Sequence, residues 1–442
     1  MAKWPAGKKC WHEGAGICYL VGEGFTDKKE DAMRIALLTN EYPPHIYGGA
    51  GVHVHFLSQE LAALDGGRHR LKILCFGEQK QSAGNLSVEG MKVNFTFPFQ
   101  EPGNMRLLST IFRNVLMTGT LAEVDIIHCH TWYTHLAGCL LKQLLGKPLV
   151  LTTHSLEPHR PWKAEQLGAG GYRLSTWIER TAYENADGVI AVSRSMQDDV
   201  QELYGVPREK VRVIFNGVDV EKYKPTFDPG VLARYGIDPE RPYILFVGRI
   251  THQKGIMHLL RAAVHLEDGI QVVLCATDPD TPELGREMAQ RLEELKDRPG
   301  LRVIWVSRFV PVDDIIPLYS HAAIFVCPSI YEPFGIINLE AMACGTPVVA
   351  TAVGGIKEVV LPEETGLLVS LGHQSPETHE PQAAAALALN LAAAIQSLLA
   401  DPEKRRIMGE KARRRVEDLF SWRQVARQTL DFYQDVAARP KF

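Results

Sequence analysis

The stretch RIALLTNEYPPHIYGGAGVHVHFLSQELAAL, residues 34–64, decides the fold. Residues 34–39 hold an unbroken run of Ile, Ala and Leu at strand length, the composition of a strand covered on both faces. A glycine turn follows, Tyr47-Gly48-Gly49-Ala50-Gly51, and residues 52–64 then take the spacing of an amphipathic helix. A buried strand, a glycine turn and a helix, in that order, open a parallel α/β sheet. Working outward, further strands of this kind stand at 71–76, 124–130, 148–153, 188–193 and 211–215, with helical patterns between most of them. Residues 224–242 are rich in Pro, Gly and charge and break the pattern. The alternation restarts at 243–248 and runs through 270–275, 301–306, 323–328 and 347–351.

The expected architecture is therefore α/β, with two Rossmann-like doubly wound domains facing across a cleft. The expected divisions are an extension of unreadable role at 1–32, a first domain at 33–225, a linker at 226–241, a second domain at 242–420, and an amphipathic C-terminal helix within 421–442 that packs back on the first domain. A polar, alanine-rich stretch at 372–388 reads as a loop running into a helix. Ligands of such sheets bind beyond the carboxyl ends of the strands, so chemistry is expected in the loops that follow strands and face the cleft.

Composition narrows the function. A chain of 442 residues exceeds one hydrophobic core. The formal net charge is -4 and no basic tract stands out, which disfavours nucleic acid as a partner. No apolar run reaches the length of a membrane span, so no integral membrane segment is expected. The eight cysteines form no C-x-x-C pair and lie mostly in apolar segments. They read as buried, reduced thiols of a cytoplasmic protein. Cys10, His12 and Cys18 match no zinc spacing, and residues 1–32 lack the apolar core of a signal peptide.

Several constellations could carry chemistry. Gly48 and Gly49, between a strand and a helix, let backbone N–H groups approach a phosphate at a positive helix start, although such turns also use glycine without a ligand. GRITHQKG, residues 248–255, places Arg249 and Lys254 in one strand-to-helix loop, where two cations can converge on a diphosphate or form a solvated basic turn. In SIYEPFGIINLE, residues 329–340, Phe334, Gly335 and Ile336 would start a helix with free N–H groups towards the cleft, Glu332 just before it and Glu340 about one and a half turns inside. That separation is too long for a shared-proton pair. His154 ends a strand and would point to the crevice, or satisfy local backbone groups. Asp278-Pro279-Asp280 reads as a helix cap more readily than as a metal-binding pair. His128 and His130 would share one face of a strand, with no third metal ligand in view. No G-x-S-x-G elbow or P-loop is present.

Taken together, G-R-x-x-x-Q-K-G, the E-x7-E spacing of EPFGIINLE, GGIKEVV and TGLLV resemble retaining glycosyltransferases of family 4, which have the GT-B fold. The opening EYPPHIYGGAGVH is similar to the short bacterial glycogen synthase type within that family. The resemblance covers residue 33 to the C-terminus. It implies a first domain that takes the acceptor and a second that takes a nucleotide sugar. Arg249 and Lys254 would bind the diphosphate and stabilise it as it leaves. Gly48 and Gly49 would cradle phosphate or sugar, and His154 would contact the donor sugar. Glu332 would bind that sugar near C3 or C4, Glu340 the ribose, and the backbone of Phe334, Gly335 and Ile336 would face sugar and phosphate. Two fixed cations and a helix start neutralise a departing diphosphate without a metal. No cofactor and no metal site is expected beyond the donor itself, ADP-glucose or UDP-glucose, with ADP-glucose favoured. The implied activity is transfer of glucose, with retention, to an α-1,4-glucan or to glucose 1-phosphate. The alternatives are a family member acting on another sugar phosphate, a lipid or a cell-wall glycan, and a nucleotide-sugar 2-epimerase of the same fold. One departure concerns the Lys-x-Gly-Gly loop of the more distant family-5 synthases, where Ile46 stands in place of the lysine.

Overall fold

Along the first strand, Ile35 and Leu37 enter one core and Ala36 and Leu38 another, so a single apolar run serves two layers of helices. In the computed structural model the described residues are 32–46, 48–94, 102–161, 163–372 and 381–439. The extension with Cys10, His12 and Cys18, Tyr47 of the glycine turn and residues 373–380 of the alanine-rich stretch lie outside them. The first sheet comprises β1 (Arg34–Leu38), β2 (Arg70–Phe76), β3 (Lys80–Ala83), β4 (Leu86–Met91), β5 (Ile126–His130), β6 (Leu149–Thr153), β7 (Gly188–Ala191) and β8 (Val211–Val213). Its spatial order is β3-β4-β2-β1-β5-β6-β7-β8. All pairs are parallel except β3 with β4. The second sheet comprises β9 (Tyr243–Ile250), β10 (Gln271–Pro279), β11 (Arg302–Val306), β12 (Ile324–Cys327), β13 (Val348–Thr351) and β14 (Gly366–Val369). It is wholly parallel, in the order β11-β10-β9-β12-β13-β14.

The two doubly wound sheets expected from the alternation are both present. Each has its first strand in the middle and reverses direction beside it, between β1 and β5 in one and between β9 and β12 in the other. Crevices for ligands open at those reversals. In β9 and β10 the alternation repeats: Leu245 and Val273 enter one core, Ile244, Phe246, Val272 and Leu274 the opposite one.

Three short strands went unread. β3, β4 and β14 have four, six and four residues, and β3 is exposed throughout, so neither an apolar run nor alternation marks it. The stretch 226–241 holds a helix, Pro229–Arg234, capped by Asp228 and anchored by buried Val231 and Leu232. The chain's last described helix, Trp422–Ala438, returns to the first sheet, where Trp422, Leu430, Phe432 and Tyr433 share a core with Ile35, Leu37 and Ile73. Among the described residues no single helix is long and apolar enough to cross a membrane.

Candidate functional site

The predicted residues sit at the carboxyl ends of β1, β6, β9 and β12 and in the loops and helices that follow, around the two reversal points. β9 itself carries Gly248 and Arg249 at its end, so Arg249 is a strand residue and not the loop residue expected. The chain then turns through Thr251 to Gly255 into the helix Ile256–Ala263. Gly255 has φ +65°, and a Cβ there would stand 1.9 Å from the carbonyl oxygen of Pro328, so only glycine lets this loop lie against the end of β12. That close approach delivers Lys254 to the turn after β12. Its Nζ lies 2.6 Å from Glu332 Oε2. Burial works against the Lys254 ammonium, the Glu332 carboxylate outweighs it, and the net pKa is raised. Ser329 donates a further hydrogen bond to Glu332 Oε2 at 3.3 Å. Arg249 reaches Asp280, with Nη1 3.6 Å from Oδ2. The reading of Asp278-Pro279-Asp280 as a helix cap is corrected here. Thr281 caps the helix Pro282–Lys296 through its hydroxyl, and Asp280 faces Arg249 instead.

The helix expected after Gly335 runs Ile336–Ala343. Gly335 has φ +96°, and a Cβ there would meet Asn338 Nδ2 at 2.5 Å. Phe334 turns inward and packs against Phe215 and Phe420, which leaves only its backbone for a ligand. Glu340 lies in the middle of the helix, half-buried, and accepts hydrogen bonds from Tyr319 at 3.0 Å and from Tyr223. Burial raises its pKa to about 7, with both tyrosines opposing the rise.

Opposite, the helix Gly49–Ala63 begins at the glycine turn. A Cβ added at Gly49 would stand 3.5 Å from Ile336 Cδ1, so the starts of two helices face each other across the cleft. A helix start presents N–H groups that its own turns do not use and a partial positive charge, so two facing starts suit a diphosphate. The Gly48 N–H donates to Glu41 Oε2 at 2.7 Å, so Glu41 now holds the amide that was expected to cradle an anion.

His154 follows β6, half-buried. The next residues touch the second sheet's loop, since the Leu156 N–H lies 3.4 Å from the Tyr331 hydroxyl. A cavity of 360 Å³ opens beside this contact, with Pro158, His159, Ser195 and Asp199 on one wall and Tyr331, Glu332 and Gly354 on the other. Glu332 is the one predicted site residue that lines it, among the described residues.

Sequence reasoning missed the partners of His154. His130 Nδ1 lies 3.0 Å from His154 Nε2, and His53 packs edge-on against His154, with ring centres 4.8 Å apart. Facing nitrogens of the three rings lie within 4.8 Å of one another. His128, expected to share a face with His130, is not one of the three; His130 instead joins His53 and His154 in a set that could offer a metal three nitrogens. Burial holds His130 and His154 well below the usual imidazole range, with neighbouring histidines adding to the fall, and pushes His53 down to about 4. A signal existed: His53, Leu57 and Leu61 are spaced for one buried helix face, so the histidine occupies an apolar position. Tyr223 and Tyr319 carried no such mark, because their approach to Glu340 spans more than twenty residues.

Two family descriptions match the chain: "Glycosyltransferase Family 4" over residues 47–222 and "Glycosyl transferases group 1" over 232–415. An alpha-maltose-1-phosphate synthase of Mycolicibacterium smegmatis is 45% identical over 412 residues, covering 92% of this chain and all of that protein. A glycogen synthase of Mycobacterium tuberculosis is 30% identical, covering 91% of this chain and 94% of that protein. Among solved structures, a sucrose-phosphate synthase of Thermosynechococcus elongatus superposes with a TM-score of 0.73 at 28% identity, over 92% of this chain and 99% of that one. The catalytic domain of starch synthase IV from Arabidopsis thaliana has the same fold, with a TM-score of 0.67 at 18% identity, over 92% of this chain and all of that one. With both sheets, both helix starts and the Lys254–Glu332 pair in place, the chain belongs to glycosyltransferase family 4 and is a glycosyltransferase.

Proposed function

We propose that this enzyme transfers glucose, with retention, from ADP-glucose to the 4-hydroxyl of glucose 1-phosphate, forming α-maltose 1-phosphate. The observation that carries the donor chemistry is the meeting of Lys254 and Glu332 at 2.6 Å beside two opposed helix starts. The bond from the sugar C1 to the diphosphate breaks as the acceptor hydroxyl attacks from the same face. The acceptor's proton passes to the departing phosphate oxygen, so no side-chain base is required. Lys254, Arg249 and the helix starts at Gly49 and Ile336 stabilise the charge that builds on the diphosphate, and no metal is needed in this scheme. Glu332 binds the sugar, Glu340 the ribose, and His154 contacts the sugar from the opposite wall. Gly48 contributes its amide once Glu41 releases it, and Gly335 places the second helix start. The cavity beside Tyr331 and Glu332 receives the acceptor.

The choice of acceptor rests on the similarity to the mycobacterial maltose-1-phosphate synthase, which exceeds that to the glycogen synthase. The glycogen synthase relative supports α-1,4-glucan extension as the second reading. We place the enzyme in the cytoplasm, a setting that suits its six free described cysteines. The test is turnover of ADP-glucose and UDP-glucose, each with glucose 1-phosphate and with glycogen. Release of disaccharide phosphate from ADP-glucose is the expected result; transfer only to glycogen selects the second reading, and no glucosyl transfer from either donor sinks both.

A further inference from the structure

Four histidines, 53, 128, 130 and 154, converge behind the glycine turn with no carboxylate hydrogen-bonded to any of them in the described structure. In a neutral imidazole one nitrogen donates and the other accepts, and the partner of one fixes the role of the other. His130 Nδ1 and His154 Nε2, 3.0 Å apart, share one proton. If His130 accepted it, His130 Nε2 would carry an N–H, and that nitrogen is buried with no partner among the described residues. A buried donor without an acceptor is the rarer and costlier state. The proton therefore stays on His130 Nδ1. His53 obeys the same logic: Nδ1 donates to Asn216 Oδ1 at 2.7 Å, which leaves a bare Nε2, also buried and unpartnered. His154 accepts at Nε2 and must carry its own proton on Nδ1.

We propose that His130 is a positioning residue that fixes His154 as an Nδ1–H donor, with His53, held by Asn216, setting the ring's angle. An isolated imidazole prefers its proton on Nε2, so the protein selects the less common form. A ring N–H donates to a donor-sugar hydroxyl oxygen and leaves that hydroxyl's own proton free for another acceptor, whereas a bare nitrogen would take that proton's hydrogen bond for itself. The functional half of the inference rests on the proposed contact between His154 and the donor; the tautomer itself does not.

The experiment uses full-length protein labelled with 15N-histidine. Two-bond proton–nitrogen correlation spectra, taken at pH 7.5 without substrate, report the tautomer of each ring. His154 is expected as Nδ1–H in the wild type and as a tautomer mixture or Nε2–H in His130→Leu. His130→Asn keeps an N–H near the Nδ1 position and is expected to restore the wild-type pattern. In parallel, His130→Leu is expected to lower kcat with the preferred donor by roughly 10- to 100-fold, with KM for the donor changed less than threefold, and His130→Asn to recover most of the loss. Wild-type His154 found as Nε2–H overturns the proposal. So does full turnover in His130→Leu despite an altered tautomer. A near-stoichiometric transition metal in the purified wild type, lost to a chelator together with the histidine signals' positions, overturns it as well, because the lone pairs would then be ligands. Absence of glucosyl transfer in the wild type counts against the proposed function and leaves the tautomer assignment standing on its spectra.

Discussion

Lys254 and Glu332 show how one contact serves two states. In the free enzyme the ammonium and carboxylate neutralise each other at 2.6 Å. In the proposed scheme a bound donor would give each a new partner, diphosphate for the lysine and sugar hydroxyls for the glutamate. Lys254→Ala and Arg249→Ala are each expected to lower turnover by about 100-fold or more, since one well-placed charge donor contributes roughly 3–4 kcal/mol in the transition state. Steady-state kinetics check this, and near-normal turnover in both variants would place the diphosphate elsewhere. Glu340 yields a pH prediction. Its pKa is raised to about 7, above the ordinary carboxylate value, so the protonated form is favoured in the folded protein. Its contribution to stability is present below the ordinary value and lost as pH rises through 7. The proposed ribose recognition would run the other way, because the carboxylate is the better acceptor. KM for the donor is expected to fall between pH 6 and 8 in the wild type and to stay flat in Glu340→Gln. The E-x7-E spacing was legible because both glutamates fall within one short stretch, 332–340, that resembles the family's signature. The lysine's partner was not, because 78 positions separate it from Glu332.

At the scale of elements, the loop after β6 is held by a buried pair of carboxylates. Glu157 meets Lys163 at 3.2 Å and Ser175 at 3.0 Å. Glu179 accepts from the Glu157 N–H at 2.9 Å and from the Tyr204 hydroxyl. Burial, then the nearby charge of Glu157, raises Glu179 to about 8, so the neutral form of Glu179 is favoured at pH 7. The sign follows: the stability that Glu179 supplies is present at low pH and is lost as pH rises through 8. The melting temperature of the wild type is expected to fall between pH 7 and 9, and that of Glu179→Gln to fall less. Glu157→Gln should instead be destabilised by about 3–5 kcal/mol in denaturant unfolding, since Lys163 is left buried without its counter-charge. Strands of this layer were readable where both faces are covered, as in β1, β5 and β6. β3 was not, because an exposed edge strand needs no apolar residues.

Across the whole molecule the cleft is bridged by more than the chain. Glu358, on the second sheet's side, accepts from the Arg194 N–H at 2.7 Å and the Ser195 N–H at 3.3 Å, capping the helix Arg194–Tyr204 of the first. Its other oxygen is buried without a partner among the described residues. A carboxylate on a helix start contributes about 0.5–2 kcal/mol. Glu358→Ala is expected to widen the cleft, seen as a larger radius of gyration by small-angle scattering, and to raise KM for the donor more than it lowers kcat. An unchanged radius would show that the cap does not hold the two halves. The plan of two sheets was legible from the alternation breaking at 224–242 and restarting at 243. The capping of one half by the other was not, because nothing local marks a pairing 164 positions long.

The return of the helix Trp422–Ala438 to the first sheet has a consequence for synthesis on the ribosome. Nascent domains ordinarily fold in the order in which they emerge. Here the face of Ile35, Leu37 and Ile73 waits for Trp422, Phe432 and Tyr433, which leave the exit tunnel only after the entire second sheet. On that side the first half is thus covered in part by the helix Gly49–Ala63, and the rest stays open until the whole second sheet has been made. The exposed surface is a natural target for chaperones in that interval. Chains stalled before residue 421 should be cut rapidly by protease within the first domain, whereas released full-length chains resist.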